Sequence, residues 1–180
     1  MTDTIREATD HLIVLGHRSG KPPTPLDIQK MLYFVEGVHL ALVNTPLFDE
    51  DFQAWKFGPV LPSVYRRFKR FGESKITLEV IDTKENGGLS ESVVSIINMV
   101  YDIFSKFQPH ELVGLTHLPD TPWDATRKET GARDGENSEK PISTDKIAEW
   151  FKKRWIEAIK SKTDEVTYLP KDEFPEWATA

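Results

Sequence analysis

With 180 residues, 38% of them hydrophobic and 29% charged, the chain is sized for one domain with a core of its own. The absence of cysteine excludes disulfides, thiolate zinc sites and cysteine nucleophiles. A net charge of −6 excludes a chain whose whole surface binds polyanions, leaving a local basic patch as the one route to nucleic acid.

Ile5, Ala8, Leu12 and Leu15 recur at helical spacing, which predicts a first amphipathic helix over residues 3–18. Its start is acidic and lacks the basic region of a secretory signal. No apolar run nears the roughly 20 residues of a membrane span, so the cytoplasm is the expected compartment. The following GHRSGKPPT has three residues between its glycines rather than four, and Pro22 after Lys21, so it is not a phosphate loop. Thr24 and Pro25 open a second helix, with Ile28, Met31, Leu32, Val35, Val38 and Leu42 as its stripe. Gly37 inside that helix points to a close neighbouring backbone. His39, at the edge of the stripe, reads as a core histidine bonded to a carbonyl, with a ligand role as the sharper alternative.

Residues 44–53 are turn-rich. FQAWKF reads as a short strand that Gly58-Pro59 ends, and KITLEVI, 75–81, as its partner in a small sheet. Between them Pro62 opens a helix that sets Leu61, Val64, Tyr65, Phe68 and Phe71 on one face. Arg66, Arg67, Lys69 and Arg70 form a ridge around the rest. The ridge has three readings: a solvated face, a contact for an acidic protein, or a phosphate contact. The net charge favours the protein over nucleic acid. Ser90 caps the cleanest helical period in the chain, Val93 to Phe107, expected to be the central core helix. Short helices after Pro109 and Pro122 follow, then a polar loop. A last helix, capped at Thr144 or Ser143, turns Ile147, Trp150 and Phe151 inward.

No constellation for catalysis appears. His110 and His117 lie seven apart, about 10 Å along a helix axis, too far to share one metal. No nucleophile elbow or dinucleotide fingerprint occurs. The expectation is a protein that is not an enzyme and uses no cofactor and no metal.

Residues 163–180 differ in kind. Five carboxylates against Lys171 give them a net charge of −4, Pro170 and Pro175 bar a regular helix, and Tyr168, Phe174 and Trp177 are spaced like the anchors of a linear motif. This tail either folds back on its own domain or engages a partner.

Three blocks, MLYFVEGVHLAL, PLFDEDFQAWKFGPVLPSVYRRF and LTHLPDTPWDAT, resemble the Panacea domain of SocA-like antitoxins and phage-associated proteins. The resemblance covers residues 8–155, and Phe57 stands where the family often shows Tyr. It implies an antitoxin that binds a cognate protein toxin, encoded by an adjacent gene, and blocks it sterically. Delivery of the toxin to a protease is the runner-up, with DNA-binding autoregulation of the operon beside it. The expected architecture is mainly α, six to seven helices with a small two-stranded β element, as a domain over 1–160 followed by a tail over 161–180. Trp55, Lys56, Tyr65, Arg66, Arg70, Phe174 and Trp177 are the expected partner contacts. Tyr33, His39, Gly58, Pro59, Thr116, His117 and Trp123 are expected to be structural.

Overall fold

The computed structural model describes residues 1–81, 88–133 and 135–160, with side chains as far as residue 154. The tail, including Phe174 and Trp177, lies outside the described residues, as do Asn86 and Gly87 of the Asn-Gly-Gly turn.

The organising element is helix α2, Pro25–Val43, against which helices α1 (Asp3–Arg18), α3 (Pro62–Phe68), α4 (Glu91–Phe104), α5 (Pro109–His117) and α7 (Thr144–Lys160) all pack. Its start follows from a capping box. The Thr24 hydroxyl accepts from the Asp27 N–H at 3.2 Å, and the Asp27 carboxylate accepts from the Thr24 N–H at 2.8 Å. Every residue from Asp27 to Leu40 is buried, so α2 is enclosed on all sides rather than along a stripe. The centre of the domain is therefore α2 and not the 90–107 helix, because α4 keeps Ser92 and Ser95 exposed and buries one face only.

Aromatic packing fixes the neighbours. Phe34 stacks on Phe104 with ring centres 4.0 Å apart, and Phe151 of α7 meets Tyr33 and Phe34 edge-on. Gly37 is required by the Phe151 ring, which lies 2.3 Å from where a Cβ would stand; the close neighbour is a side chain, not the expected backbone. His39 donates through Nδ1 to the Thr45 carbonyl at 2.9 Å.

The sheet differs from the expected pairing. Strands β1 (Gln53–Trp55) and β2 (Gly58–Val60) form an antiparallel hairpin with Ala54 opposite Pro59 and a two-residue turn at Lys56-Phe57. Gly58, with φ of +97°, opens the return strand where the sequence suggests a stop. KITLEVI does not pair with the hairpin. The Ile76 N–H goes to the Pro23 carbonyl and the Ile76 carbonyl faces His17 Nε2, so its backbone is already satisfied, and Leu78–Val80 coils into one 3-10 turn. The hairpin's outer edge is covered by residues 140–142 through the Ala54 N–H to the Lys140 carbonyl and the Ile142 N–H to the Phe52 carbonyl. The fold is thus mainly α, with seven helices and one two-stranded β element among the described residues, helix α6 (Pro122–Thr130) completing the set. None of the described helices is long and apolar enough to cross a membrane.

Candidate functional site

The polar residues of α2 are buried because they serve the irregular chain on either side. Gln29 exchanges two hydrogen bonds with the Leu61 backbone, and Glu36 accepts from the N–H groups of Leu47 and Phe48. Lys30, at 0% exposure, donates from Nζ to the Pro59 carbonyl at 3.0 Å. Burial lowers the Lys30 ammonium to about 7 and raises the Glu36 carboxyl to about 7, since each loses the water that favours its charged form.

Lys30 is one of three side chains that hold the hairpin from inside. Trp123 donates from Nε1 to the Trp55 carbonyl at 2.8 Å. Arg127 donates to the Ala54 carbonyl at 2.9 Å, and gathers the Glu136 and Arg133 carbonyls as well. The two residues sit one turn apart on α6, so the guanidinium lies over the indole at 5.2 Å. On its other side the indole stacks flat on the His117 ring, 3.7 Å away. Burial and the charges of Lys30 and Arg127 bring His117 down to about 4, keeping the imidazole neutral between two cations.

Of the expected structural residues, Gly58, Pro59, Thr116, His117 and Trp123 meet here, while His39 bonds the Thr45 carbonyl and Tyr33 packs away from the hairpin turn. Thr116 is satisfied locally through the Val113 carbonyl, but His117 Nε2 has no hydrogen-bond partner among the described residues, and its ring contributes stacking instead. The same holds for the hydroxyl of Tyr33, whose ring packs on Phe52 and Phe151. Gly58 is enclosed: a Cβ there would lie 2.6 Å from both Lys30 Nζ and Thr116 Oγ1.

The outer side of this hairpin carries exposed rings and cations. Trp55 meets Tyr65 edge-on at 4.8 Å. Phe57, at the turn, is 57% exposed, with Lys56 Nζ 4.9 Å from its ring centre. Tyr65 is 41% exposed and does not belong to the core face of α3; Val64 and Phe68 take that face, and Tyr65 turns to the flank that Trp55 occupies. Arg66, Lys69 and Arg70 are exposed, Arg70 lying over Phe71 at 5.3 Å. The four-cation ridge loses one member: Arg67 turns inward to Asp10 at 2.7 Å and to the Val80 carbonyl. Of the expected partner contacts, Trp55 and Tyr65 meet, Lys56 lies at the hairpin turn beside Phe57, and Arg66 and Arg70 stand exposed on α3 and the turn that follows it.

Sequence reasoning missed Phe57, Lys30 and Arg127. Arg127 had a signal, four residues after the motif tryptophan. Lys30 had none, because a lone lysine in a helix reads as a solvated one. His110 is exposed and Glu111 caps α5 through the Gln108 N–H, and no cluster of three metal-ligating side chains occurs among the described residues.

A family model matches the hairpin, α3, α4 and α5, together with most of α2 and the start of α6. The model described as "Antitoxin SocA-like, Panacea domain" covers residues 28–124, just over half of the chain. The chain belongs to this family. Antitoxin SocA of Caulobacter vibrioides is 32% identical to the chain over 122 residues, 63% of this chain and 65% of that protein, so the chain spans about two thirds of its relative. No solved structure matches. The Panacea match ends at Asp124, inside α6, so Trp123 falls within it and Arg127 just beyond.

Proposed function

We propose that this Panacea-domain protein is an antitoxin that neutralises a protein toxin by binding it directly, without chemistry of its own. The toxin is covered sterically through the hairpin turn and α3. The observation that carries this reading is the exposed pair of rings Phe57 and Tyr65 beside the half-buried Trp55, with the neighbouring cations, on a hairpin held from inside by Lys30, Trp123 and Arg127. A face already ordered before contact loses little conformational entropy on binding, and Trp, Tyr and Arg are the side chains that anchor such interfaces. Family membership supports the antitoxin role, and the name of the Caulobacter relative agrees with it.

The test is co-expression with the product of the adjacent gene. The expected result is rescue of growth and a stable complex on co-purification. A neighbour that is harmless when expressed alone, or that forms no complex, overturns the reading. A shift of upstream DNA at low salt, lost on removing Arg66 and Arg70, would replace it with a nucleic-acid contact.

A further inference from the structure

We propose that the chain's own C-terminal segment, residues 163–180, occupies the hairpin–α3 face. Resting on the toxin contact given above, this makes the segment a competitor that the toxin displaces.

Four exposed cations of the hairpin turn and of α3 with the turn after it, Lys56, Arg66, Lys69 and Arg70, form no ion pair among the described residues, and two exposed rings, Phe57 and Tyr65, belong to the same elements, which the Trp55–Tyr65 contact joins. Two lysines elsewhere do have partners: Lys128 pairs with Asp124 at 2.7 Å and Lys146 with Glu129 at 2.5 Å. The complement to an unpaired cationic, aromatic face is an acidic, aromatic segment, and residues 163–180 have that composition. Asp164, Glu165, Asp172, Glu173 and Glu176 stand against Lys171, with Tyr168, Phe174 and Trp177 between them. Carboxylates are the bidentate complement of guanidinium groups, and aromatic rings that of their flat faces.

Reach permits the contact. Trp177 lies 17 residues beyond Lys160. That contour of roughly 55 Å compares with about 40 Å for the width of a domain of this length. Tethering raises the local concentration of the segment to about millimolar, so a weak complement suffices to hold it there. The energetic consequence is that toxin binding is opposed by an electrostatic contact, which salt weakens.

The test is zero-length carbodiimide crosslinking of the full chain, with peptide mapping of the monomer band. Lys56 and Lys69 are expected to join Asp172, Glu173 or Glu176 several-fold more often than Lys106 and Lys140 do. That excess is expected to vanish in the full-length Arg66→Glu/Arg70→Glu chain and at about 0.5 M salt. Circular dichroism checks that the variant folds; should it not, Arg66→Gln/Arg70→Gln replaces it with the same expectation. Equal yields at all four lysines, or an excess that survives both the variant and salt, overturn the proposal. Crosslinks confined to a dimer band also overturn it, by placing the segment on a second copy. The result is independent of the toxin. A chain that crosslinks to itself and binds no toxin keeps this contact and loses the reading above, and one that binds toxin without the crosslinks does the reverse.

Discussion

Two surfaces of this protein carry similar residues and treat them differently. Between α6 and the first turn of α7, two lysines are neutralised, Lys128 by Asp124 and Lys146 by Glu129. On the hairpin and α3, Lys56, Arg66, Lys69 and Arg70 have no such partners among the described residues, and Phe57 and Tyr65 are exposed on the same elements. Beneath the second surface, a buried lysine, an indole and a guanidinium hold the hairpin backbone. A paired surface is complete in itself. An unpaired one on a fixed support has its charge and apolar area in reserve for something else. The contrast separates two roles that composition alone leaves mixed.

The sharpest way to break the contrast is to attack the support. Gly58→Ala forces a side chain into a positive-φ position and against Lys30 and Thr116. We expect a loss of about 2–4 kcal/mol in urea unfolding, from backbone strain and overpacking together. Arg127→Met keeps the apolar stem but leaves three carbonyl oxygens without their donor. The expected loss is about 2–3 kcal/mol by the same measurement.

A pH series sharpens the same point. With Lys30 at about 7 in the folded chain and 10.5 as its ordinary value, the unfolded chain holds an extra proton between those limits. Stability from this group therefore rises with pH across that window, by up to about 1.4 kcal/mol per pH unit, and falls again as pH drops toward 7. Unfolding titrations at several pH values from 7 to 10 check this, with Lys30→Met expected to lose the rise. Glu36, raised to about 7, acts in the opposite sense below that point: stability from it falls as pH climbs from 4.5 to 7. The smallest effect belongs to the paired surface. Lys146→Ala is expected to leave stability within about 0.5 kcal/mol, because its partner Glu129 is largely exposed.

Much of the fold was legible because caps and prolines mark helix starts plainly. Thr24, Ser90 and Thr121 each accept the hydrogen bond that their position predicts. The centre was misplaced because α2 carries Gln29, Lys30 and Glu36, which periodicity assigns to solvent. Their partners are backbone groups that lie 11 to 32 residues away in sequence, a pairing no local pattern reveals. The hairpin was half legible. Its first strand is legible, but Gly58-Pro59 is both a breaker signal and a residue pair that can open a return strand, and the contacts from Lys30, Trp123 and Arg127 that hold the hairpin come from distant elements. Tyr65 fell at core spacing, yet the Trp55 ring from another element fixes its position. Those are tertiary facts.

The account turns on which surface meets the partner. The most direct measurement is calorimetric affinity for the product of the adjacent gene, comparing Tyr65→Ala/Arg66→Ala with Lys128→Ala/Lys146→Ala in the full chain. The account predicts at least about a tenfold loss for the first pair, the size expected of aromatic and arginine anchors, and no change for the second. Equal effects, or a larger loss from the α6–α7 pair, would contradict it.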